Sequence, residues 1–282
     1  MMRGRDDWAV AVRRPDSAIH VESHAIDSIA ERHPVLAKPG LRGVIALGQA
    51  LSIGVRALSI SANQASPEEE RLSSRQMGIS MGLAIAVFVG VFVVLPAVAF
   101  RFVGREVHSS VLTNVLEGVF RVVLFLAYLI AIGLTKDIRR VFQYHGAEHK
   151  TIAAYEHSDV LEPDRVDRYS TLHVRCGTNF LLIVMLLTIL IFAAFGNPGL
   201  LWRIGSRIVA IPIIAGAAYE LLRLGAKHPD SALMRAVMAP GLWLQKITTQ
   251  PPDLRQIEVA IASFGEVLRR ESLRTAERSA GA

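Results

Sequence analysis

Charged residues are absent from long stretches of this chain, and their spacing predicts most of its architecture. Met77 to Phe100 contains no charged side chain and is bounded by Arg75 and Arg101. A helix needs about 20 apolar residues to cross the hydrocarbon core of a bilayer. This stretch therefore predicts a first transmembrane helix.

Three further apolar stretches predict three more spans. They run from about Val111 to Thr135, from Thr178 to Phe195, and from Ile208 to Tyr219. The last stretch is short and contains Pro212, so it crosses only with help from its flanking residues or from a locally thinned bilayer. Together the four stretches predict a mostly α-helical, polytopic membrane protein with four transmembrane helices.

Two features inside the first two spans bear on their packing. Pro96 lies near the far end of the first span and should kink it, which neighbouring helices can accommodate. Glu117 and Arg121 lie four residues apart in the second span and can form an ion pair. Such a pair is either functional or structural.

The segment from Leu41 to Asn63 has a different pattern, with polar residues at spacings of three and four along an otherwise apolar helix. Because Arg42 and Arg56 lie within it, we expect it to lie in the membrane surface rather than to cross. The alternative is an amphipathic helix packed on the protein.

Short alternating segments at the N terminus predict a small β-hairpin. Trp8 to Arg13 and Ala18 to Glu22 have the pattern of strands, and Arg14-Pro15-Asp16-Ser17 between them has turn chemistry. A lone hairpin is only marginally stable in water, so it should dock on another part of the chain.

After Lys227 the chain becomes amphipathic, with Trp243 suited to the headgroup level of a membrane. The last helix should dock through one apolar face, made by Ile257, Ile261, Phe264 and Leu268. The chain thus divides into a hairpin region (1–38), an interfacial helix and linker (39–76), two spans (77–135), a polar loop (136–177), two spans (178–224), amphipathic helices (225–270) and a tail expected to be disordered (271–282).

Composition agrees with a membrane protein. The chain has 282 residues, is 51% hydrophobic and carries a formal net charge of +6, and its mean hydropathy is +0.36. A soluble domain is rarely this apolar. With spans present, the positive charge suits the anionic inner leaflet of a bilayer better than it suits nucleic acid, so no nucleic acid is expected.

The distribution of lysine and arginine predicts the orientation. Seven of these residues lie in the loop between the second and third spans: Lys136, Arg139, Arg140, Lys150, Arg165, Arg168 and Arg175. The other two loops hold only two each, Arg101 with Arg105 and Arg203 with Arg207. By the positive-inside rule, we expect the long loop, as a helical cap, and both termini to be cytoplasmic, at a bacterial inner membrane.

The long loop carries the candidate chemistry. His145 and His149 lie one turn apart if the helix of the second span continues to about Glu156, and Glu148 directly precedes the second histidine. This is the H-x-x-E-H pattern of inverted zinc peptidases, in which the histidines bind zinc and the glutamate moves protons. Gly146 within the pattern could admit close backbone packing or a substrate.

Three blocks resemble a known family. Phe142 to Ile152, FQYHGAEHKTI, resembles the signature of the YqhQ family of bacterial membrane proteins, whose function is unknown. His173 to Thr178 resembles its second signature, in which proline usually stands at the position of Val174. Pro240 to Gln250 and Ile257 to Ala260 resemble its C-terminal block.

The resemblance implies a metal site, because the family is commonly described as predicted metal-dependent enzymes. One departure concerns the N terminus. Family members typically begin with a glycine-rich segment ahead of the Met-Met-Arg that opens this chain. The sequence therefore either starts at an internal methionine or lacks that segment.

The preferred ligands are His145, His149 and His173, with Cys176 as a fourth ligand or a neighbouring group, and zinc as the expected divalent metal. Cys176 is the only cysteine, which excludes an internal disulfide and fits a reducing compartment. Glu148 would be the general base.

Four alternatives remain at this stage. Glu220 could be the third ligand, but a straight second helix puts His145 roughly 15 Å beyond the membrane edge, where Glu220 lies. Glu156 lies roughly 10 Å from His149 on an unbroken helix. Arg175 could hold an anion. Cys176 could be a nucleophile with a histidine as its base.

These patterns predict a membrane-embedded, metal-dependent enzyme, a hydrolase acting at the cytoplasmic face on a membrane-associated substrate. The alternative is a non-enzymatic scaffold or assembly factor whose polar loop binds a protein partner or a structural metal. Transport is disfavoured because the spans contain few ionisable residues beyond Glu117 and Arg121.

Overall fold

A computed structural model of the chain describes residues 1–27, 36, 38, 40–67, 73–106, 109–173, 176–193, 200–228 and 231–280. The strands are β1 (Met2–Arg3), β2 (Asp7–Arg13) and β3 (Ile19–Ala25). The helices are α1 (Leu41–Ala65), α2 (Ser74–Val89), α3 (Leu95–Glu106), α4 (Ser110–Gly133), α5 (Lys136–Glu156), α6 (Pro163–Val166), α7 (Thr178–Ala193), α8 (Leu200–Lys227), α9 (Ala232–Thr248) and α10 (Leu254–Ala280).

The N-terminal strands form an antiparallel sheet in the order β1-β2-β3. The predicted hairpin is confirmed as β2 and β3, with Val10 opposite Glu22. Sequence reasoning missed β1, in which Met2 pairs with Ala9 and Arg3 with Trp8. Two residues are too few to produce an alternating pattern.

The last helix docks on this sheet, as expected of the hairpin. Ser263 donates a hydrogen bond to the carbonyl of Ala9 at 2.9 Å. Arg274 donates hydrogen bonds from two nitrogens to the fully buried Asp7 carboxylate, and Arg278 forms an ion pair with Asp6. These contacts hold the helix as far as Ala280, where the sequence predicted a disordered tail from about Glu271.

Replacing Asp7 with asparagine should lower the free energy of unfolding by about 2 kcal/mol, because Arg274 would lose a buried, charged acceptor. Thermal unfolding in detergent measures this loss. The matched control is Asp6→Asn, whose partner Arg278 is exposed, so we expect about 0.5 kcal/mol or less. Equal losses for the two variants would contradict the assignment.

Three helices among the described residues are long and apolar enough to cross a membrane: Leu41–Ala65, Arg75–Phe100 and Ser110–Gly133. The last two correspond to the first two predicted spans. The predicted third span is represented by α7, which has 16 residues, and residues 194 and 195 of that prediction lie outside the described residues. α8, the predicted fourth span, is not one of the three.

α1 combines a membrane-length helix with a docked face. Ile53 and Ala57 pack on Trp8 and Val10 of the sheet. Other apolar residues of α1 are exposed on a different stripe, namely Leu51, Val55 and Leu58. A helix with protein on one face and an exposed apolar stripe on another suits the surface of a membrane.

At Pro96, where the sequence predicts a kink, a side chain of α4 takes the place of the missing backbone donor. Proline has no N–H to donate to the carbonyl four residues before it, which belongs to Phe92. Arg121 of α4 donates to that carbonyl at 3.1 Å, and the buried Glu117 accepts from Arg121 at 2.8 Å. A π-helical turn, Gly90–Val94, joins α2 to α3 at this point. The Glu117–Arg121 pair thus links α4 to the π-helical turn between α2 and α3.

The chain turns between α4 and α5, where the sequence predicted one continuous helix. Thr135 has an extended backbone, with φ −72° and ψ 143°. Phe142 packs back on the end of α4, since a Cβ at Gly133 would lie 3.1 Å from its ring. The first turns of α5 therefore stay near the end of α4 and do not project straight away from it.

α7 fits closely between α4 and α9. A Cβ at Gly118 would lie 2.5 Å from Ile189, so the absence of a side chain there lets α4 and α7 approach. Gly241 of α9 lies against Asn179 in the same way. This packing fixes the start of α7, directly after Cys176, beside the helix that carries Gly241.

Candidate metal centre

α5 brings the two histidines of the H-x-x-E-H pattern together on one face. Their ring centroids are 4.4 Å apart and the ring planes are inclined at 70°. His149 is buried and His145 is partly buried. Gly146 between them lies so close to the carbonyl of Gln250 that a Cβ would collide with it. Gly146 therefore serves close backbone packing, one of its two expected roles.

Backbone carbonyls set the proton position on both rings. The Nδ1 atom of His145 lies 2.9 Å from the carbonyl oxygen of Thr248, and that of His149 lies 2.6 Å from the carbonyl oxygen of Thr171. A carbonyl can only accept, so each Nδ1 carries the proton. Each neutral ring then has its lone pair on Nε2, the nitrogen available to a metal.

Cys176 completes the cluster. Its Sγ atom lies 3.3 Å from Nε2 of His145. One ligand atom from each of His145, His149 and Cys176 lies within 4.8 Å of the others. Thr178, at the start of α7, places its hydroxyl 3.3 Å and its backbone N–H 3.5 Å from Sγ. The thiol therefore lies at a helix N-terminus, where negative charge is favoured.

The electrostatics favour a thiolate. Burial by itself would raise the pKa of the Cys176 thiol, but hydrogen bonds from His145 and His149 outweigh it and lower the pKa from 9.0 to about 5. Burial lowers the pKa of His145, whereas its hydrogen bond to Cys176 raises it, with a net rise. At neutral pH the sulfur is thus negatively charged, the form that binds metals.

In metal-free protein, alkylation of Cys176 by iodoacetamide should rise as the pH increases through about 5, since only the thiolate reacts. Cys176 is the only cysteine, so mass spectrometry reports it directly. The unfolded chain should show an ordinary midpoint, and His145→Gln should raise the midpoint. A folded protein with a midpoint near 9 would refute the thiolate assignment.

The sequence predicted His173 as the third ligand, but the structure does not bring it into the cluster. Its Nε2 atom lies 3.0 Å from a carboxylate oxygen of Glu156, and its backbone N–H and carbonyl both bond to the buried Gln245. His173 is therefore not in the cluster of three, although its ring centroid lies 5.9 Å from that of His149. Gln245 holds the loop before Cys176 on α9.

The remaining candidates are also accounted for. Glu148 lies on the rim of the cluster, where Oε1 contacts the N-terminal ammonium group of Met1, and its charge contributes to the raised pKa of His145. Glu220 binds Arg42 with both carboxylate oxygens and does not belong to the cluster. Arg175 lies outside the described residues.

The donor set fits zinc. Zinc binds histidine nitrogen at about 2.0 Å and cysteine sulfur at about 2.3 Å, so two ligand atoms of a tetrahedral site lie about 3.5 Å apart. The separation of 3.3 Å between Cys176 Sγ and His145 Nε2 is close to this value. Three protein ligands would leave a fourth position open, as in catalytic zinc sites.

Comparison with known proteins places the chain in a family. A family model described as "Protein of unknown function (DUF1385)" matches residues 38–270. The chain belongs to this family. Uncharacterized protein YqhQ of Bacillus subtilis (strain 168) is 32% identical over 287 residues, which cover 97% of this chain and 90% of that protein. The resemblance to the YqhQ family is thereby confirmed.

No solved structure is a significant match to the chain. The DUF1385 match includes His145, His149 and Cys176. It also includes α9, whose Thr248 carbonyl contacts His145, and α7, whose N-terminus contacts Cys176. The family description gives no activity, so the chemistry of the site must be argued from its own atoms.

Proposed function

We propose that this DUF1385 protein is a membrane-embedded, metal-dependent hydrolase whose zinc ion is held by His145, His149 and Cys176. The observation that carries the proposal is the pair of Nδ1 contacts to backbone carbonyls. They leave Nε2 of each ring directed at the thiolate, and a metal ion that binds there displaces the proton that His145 Nε2 shares with the sulfur in metal-free protein. Histidines that bind metals almost always donate their second N–H to such an acceptor.

Each residue has a role in hydrolysis. Zinc, when bound, supplies a Lewis acid and lowers the pKa of water. Glu148, at the rim, takes a proton from the attacking water and returns it to the leaving oxygen. The water oxygen joins the acyl carbon or the phosphorus, and the ester bond breaks. His145, His149 and Cys176 contribute no protons, since they remain ligands throughout.

The finer membrane topology belongs to the same proposal. α7 and α8 form the third and fourth spans, and the positive charge of α5 and its following loop keeps the site and both termini in the cytoplasm. The close packing of α7 on α4 through Gly118 supports a membrane position for α7, because α4 is of spanning length.

A cysteine nucleophile is the second candidate, favoured by the 3.3 Å contact between Cys176 Sγ and His145 Nε2. Such a dyad needs only one histidine. The second imidazole, also fixed through Nδ1, favours the metal. A third candidate is a non-enzymatic scaffold in which the same residues bind a structural metal.

Metal analysis and one variant separate the three. Protein purified in detergent without chelators should contain one zinc ion per chain. Glu148→Gln should keep the metal and lower hydrolysis roughly 100-fold. A scaffold would keep its partner binding in this variant, and a cysteine enzyme would keep its activity after metal removal. Absence of any bound transition metal would overturn the proposal.

A further inference from the structure

The position of the candidate metal centre relative to α4 and α7 indicates what kind of substrate can reach it. Gly118, near the start of α4, contacts Ile189, near the end of α7. At the opposite end, Cys176 before α7 contacts His145 of α5, which begins just after α4. The two helices therefore run antiparallel.

This arrangement fixes the level of the thiol. Thirteen residues along α4 from Gly118 is Ala131, and thirteen residues before Ile189 is Cys176. At the same rise per residue, Cys176 lies level with the last turn of α4, which ends at Gly133. A thiol at the end of a membrane-length helix lies at the edge of the hydrocarbon layer.

An apolar strip on α5 leads from that edge to the histidines. Ile138, Val141 and Phe142 precede His145 at helical spacings of three and four, so they share its face. Phe142 packs on Gly133 at the end of α4, and Val141 is 48% exposed. An exposed apolar residue between a bilayer edge and a metal site suits an acyl chain better than it suits a soluble substrate.

Two further features place this end of α5 among lipid headgroups. Trp243 is exposed on α9, five residues before the Thr248 carbonyl that orients His145, and tryptophan favours the headgroup level. Lys136, Arg139 and Arg140 are all exposed in the first turns of α5. Cations at this depth attract anionic headgroups.

We propose that the substrate is an anionic phospholipid, which enters from the bilayer along Val141 and presents a headgroup ester to the metal. This inference rests on the hydrolase proposed above. Water adds across the ester bond, the ester oxygen leaves with the proton taken by Glu148, and the products are an acid and an alcohol.

The test uses full-length protein in nanodiscs of equal parts phosphatidylcholine and phosphatidylglycerol, loaded with Co²⁺. The visible spectrum of Co²⁺ with a thiolate ligand reports metal binding alone. The phosphorus-31 relaxation of each lipid, compared with Zn²⁺-loaded protein, reports how near the headgroups come. We expect faster relaxation with Co²⁺, at least twofold larger for phosphatidylglycerol than for phosphatidylcholine.

A matched pair of valines sharpens the test. Val141→Asp should keep the Co²⁺ spectrum and lower the relaxation enhancement at least threefold. Val160→Asp, a similarly exposed valine (55%) in the loop after α5, should leave it unchanged. Equal effects of the two variants, or no enhancement despite bound Co²⁺, would overturn the lipid proposal and leave the metal site intact.

Lipid analysis completes the experiment. Zn²⁺-loaded protein should convert phosphatidylglycerol of the nanodisc to its hydrolysis products, and Glu148→Gln should not. Headgroup contact without any product would overturn the substrate assignment. A protein that binds neither Zn²⁺ nor Co²⁺ would instead remove the proposed function itself.

Discussion

His149→Ala should lower the affinity of the protein for zinc about 300-fold. Structural zinc sites bind with about 10 to 16 kcal/mol from four ligands, so one ligand accounts for about 2.5 to 4 kcal/mol. The upper half of that range corresponds to a factor of a few hundred in affinity. His149 is buried, and its ring is oriented by the carbonyl of Thr171. Competition with a chromogenic chelator measures the loss.

The chain offers a matched control for this variant. His157 caps the same helix two turns further on, and its Nδ1 atom lies 2.7 Å from the carbonyl of Ala153. Its ring therefore has the same local hydrogen bond but no partner thiol. His157→Ala should leave zinc affinity unchanged, whereas Cys176→Ala should match His149→Ala. Unaltered affinity in His149→Ala would eliminate the proposed ligand set.

Local sequence patterns correctly predicted the features that depend on residues close together in the chain. The two histidines four residues apart lie on one helix face, and the uncharged stretch from Met77 gave a membrane-length helix. The turn chemistry at Arg14 to Ser17 predicted the hairpin. The tail after Glu271 was predicted incorrectly because its stabilising partner, Asp7, lies at the other end of the chain.

The choice between His173 and Cys176 could not be made from the sequence. Both lie in one short turn at a spacing that suits a metal, so either could point inward. Contacts with distant residues decide the outcome. The side chain of Gln245 forms hydrogen bonds with the backbone of His173, and Glu156 forms one with its ring. The buried Gln245 in the C-terminal signature block was the only available signal, and a glutamine in an amphipathic segment gives no indication of its partner.

The break after α4 was hidden for a similar reason. Gly133 and Thr135, residue types that end one helix and cap the next, were the only local signals, and apolar residues at helical spacing continue beyond them. The packing of Phe142 on Gly133 decides against it. This turn packs Phe142, one helical turn before His145, against the end of α4, whereas a straight helix would carry His145 roughly 15 Å beyond it.

Arg121→Met should lower the free energy of unfolding by about 3 to 5 kcal/mol, the usual cost of breaking a buried ion pair by removing one of its members. Glu117 is only 1% exposed, and its Oε1 atom accepts from Arg121 at 2.8 Å. Methionine keeps the length of the side chain but donates no hydrogen bond. Unfolding in mixed micelles, by titration with a denaturing detergent, measures the loss.

The Phe92 carbonyl makes this prediction specific. Arg121 donates to it at 3.1 Å, where Pro96 offers no N–H. Pro96→Ala restores the N–H, so Arg121→Met should cost about 1 kcal/mol less in a Pro96→Ala background, the usual net contribution of one hydrogen bond. Adding Glu117→Gln to Arg121→Met should recover most of the remaining loss, because the buried carboxylate is then replaced by a neutral amide. If the cost of Arg121→Met were the same in all three backgrounds, the ion pair would have no part in joining the two helices.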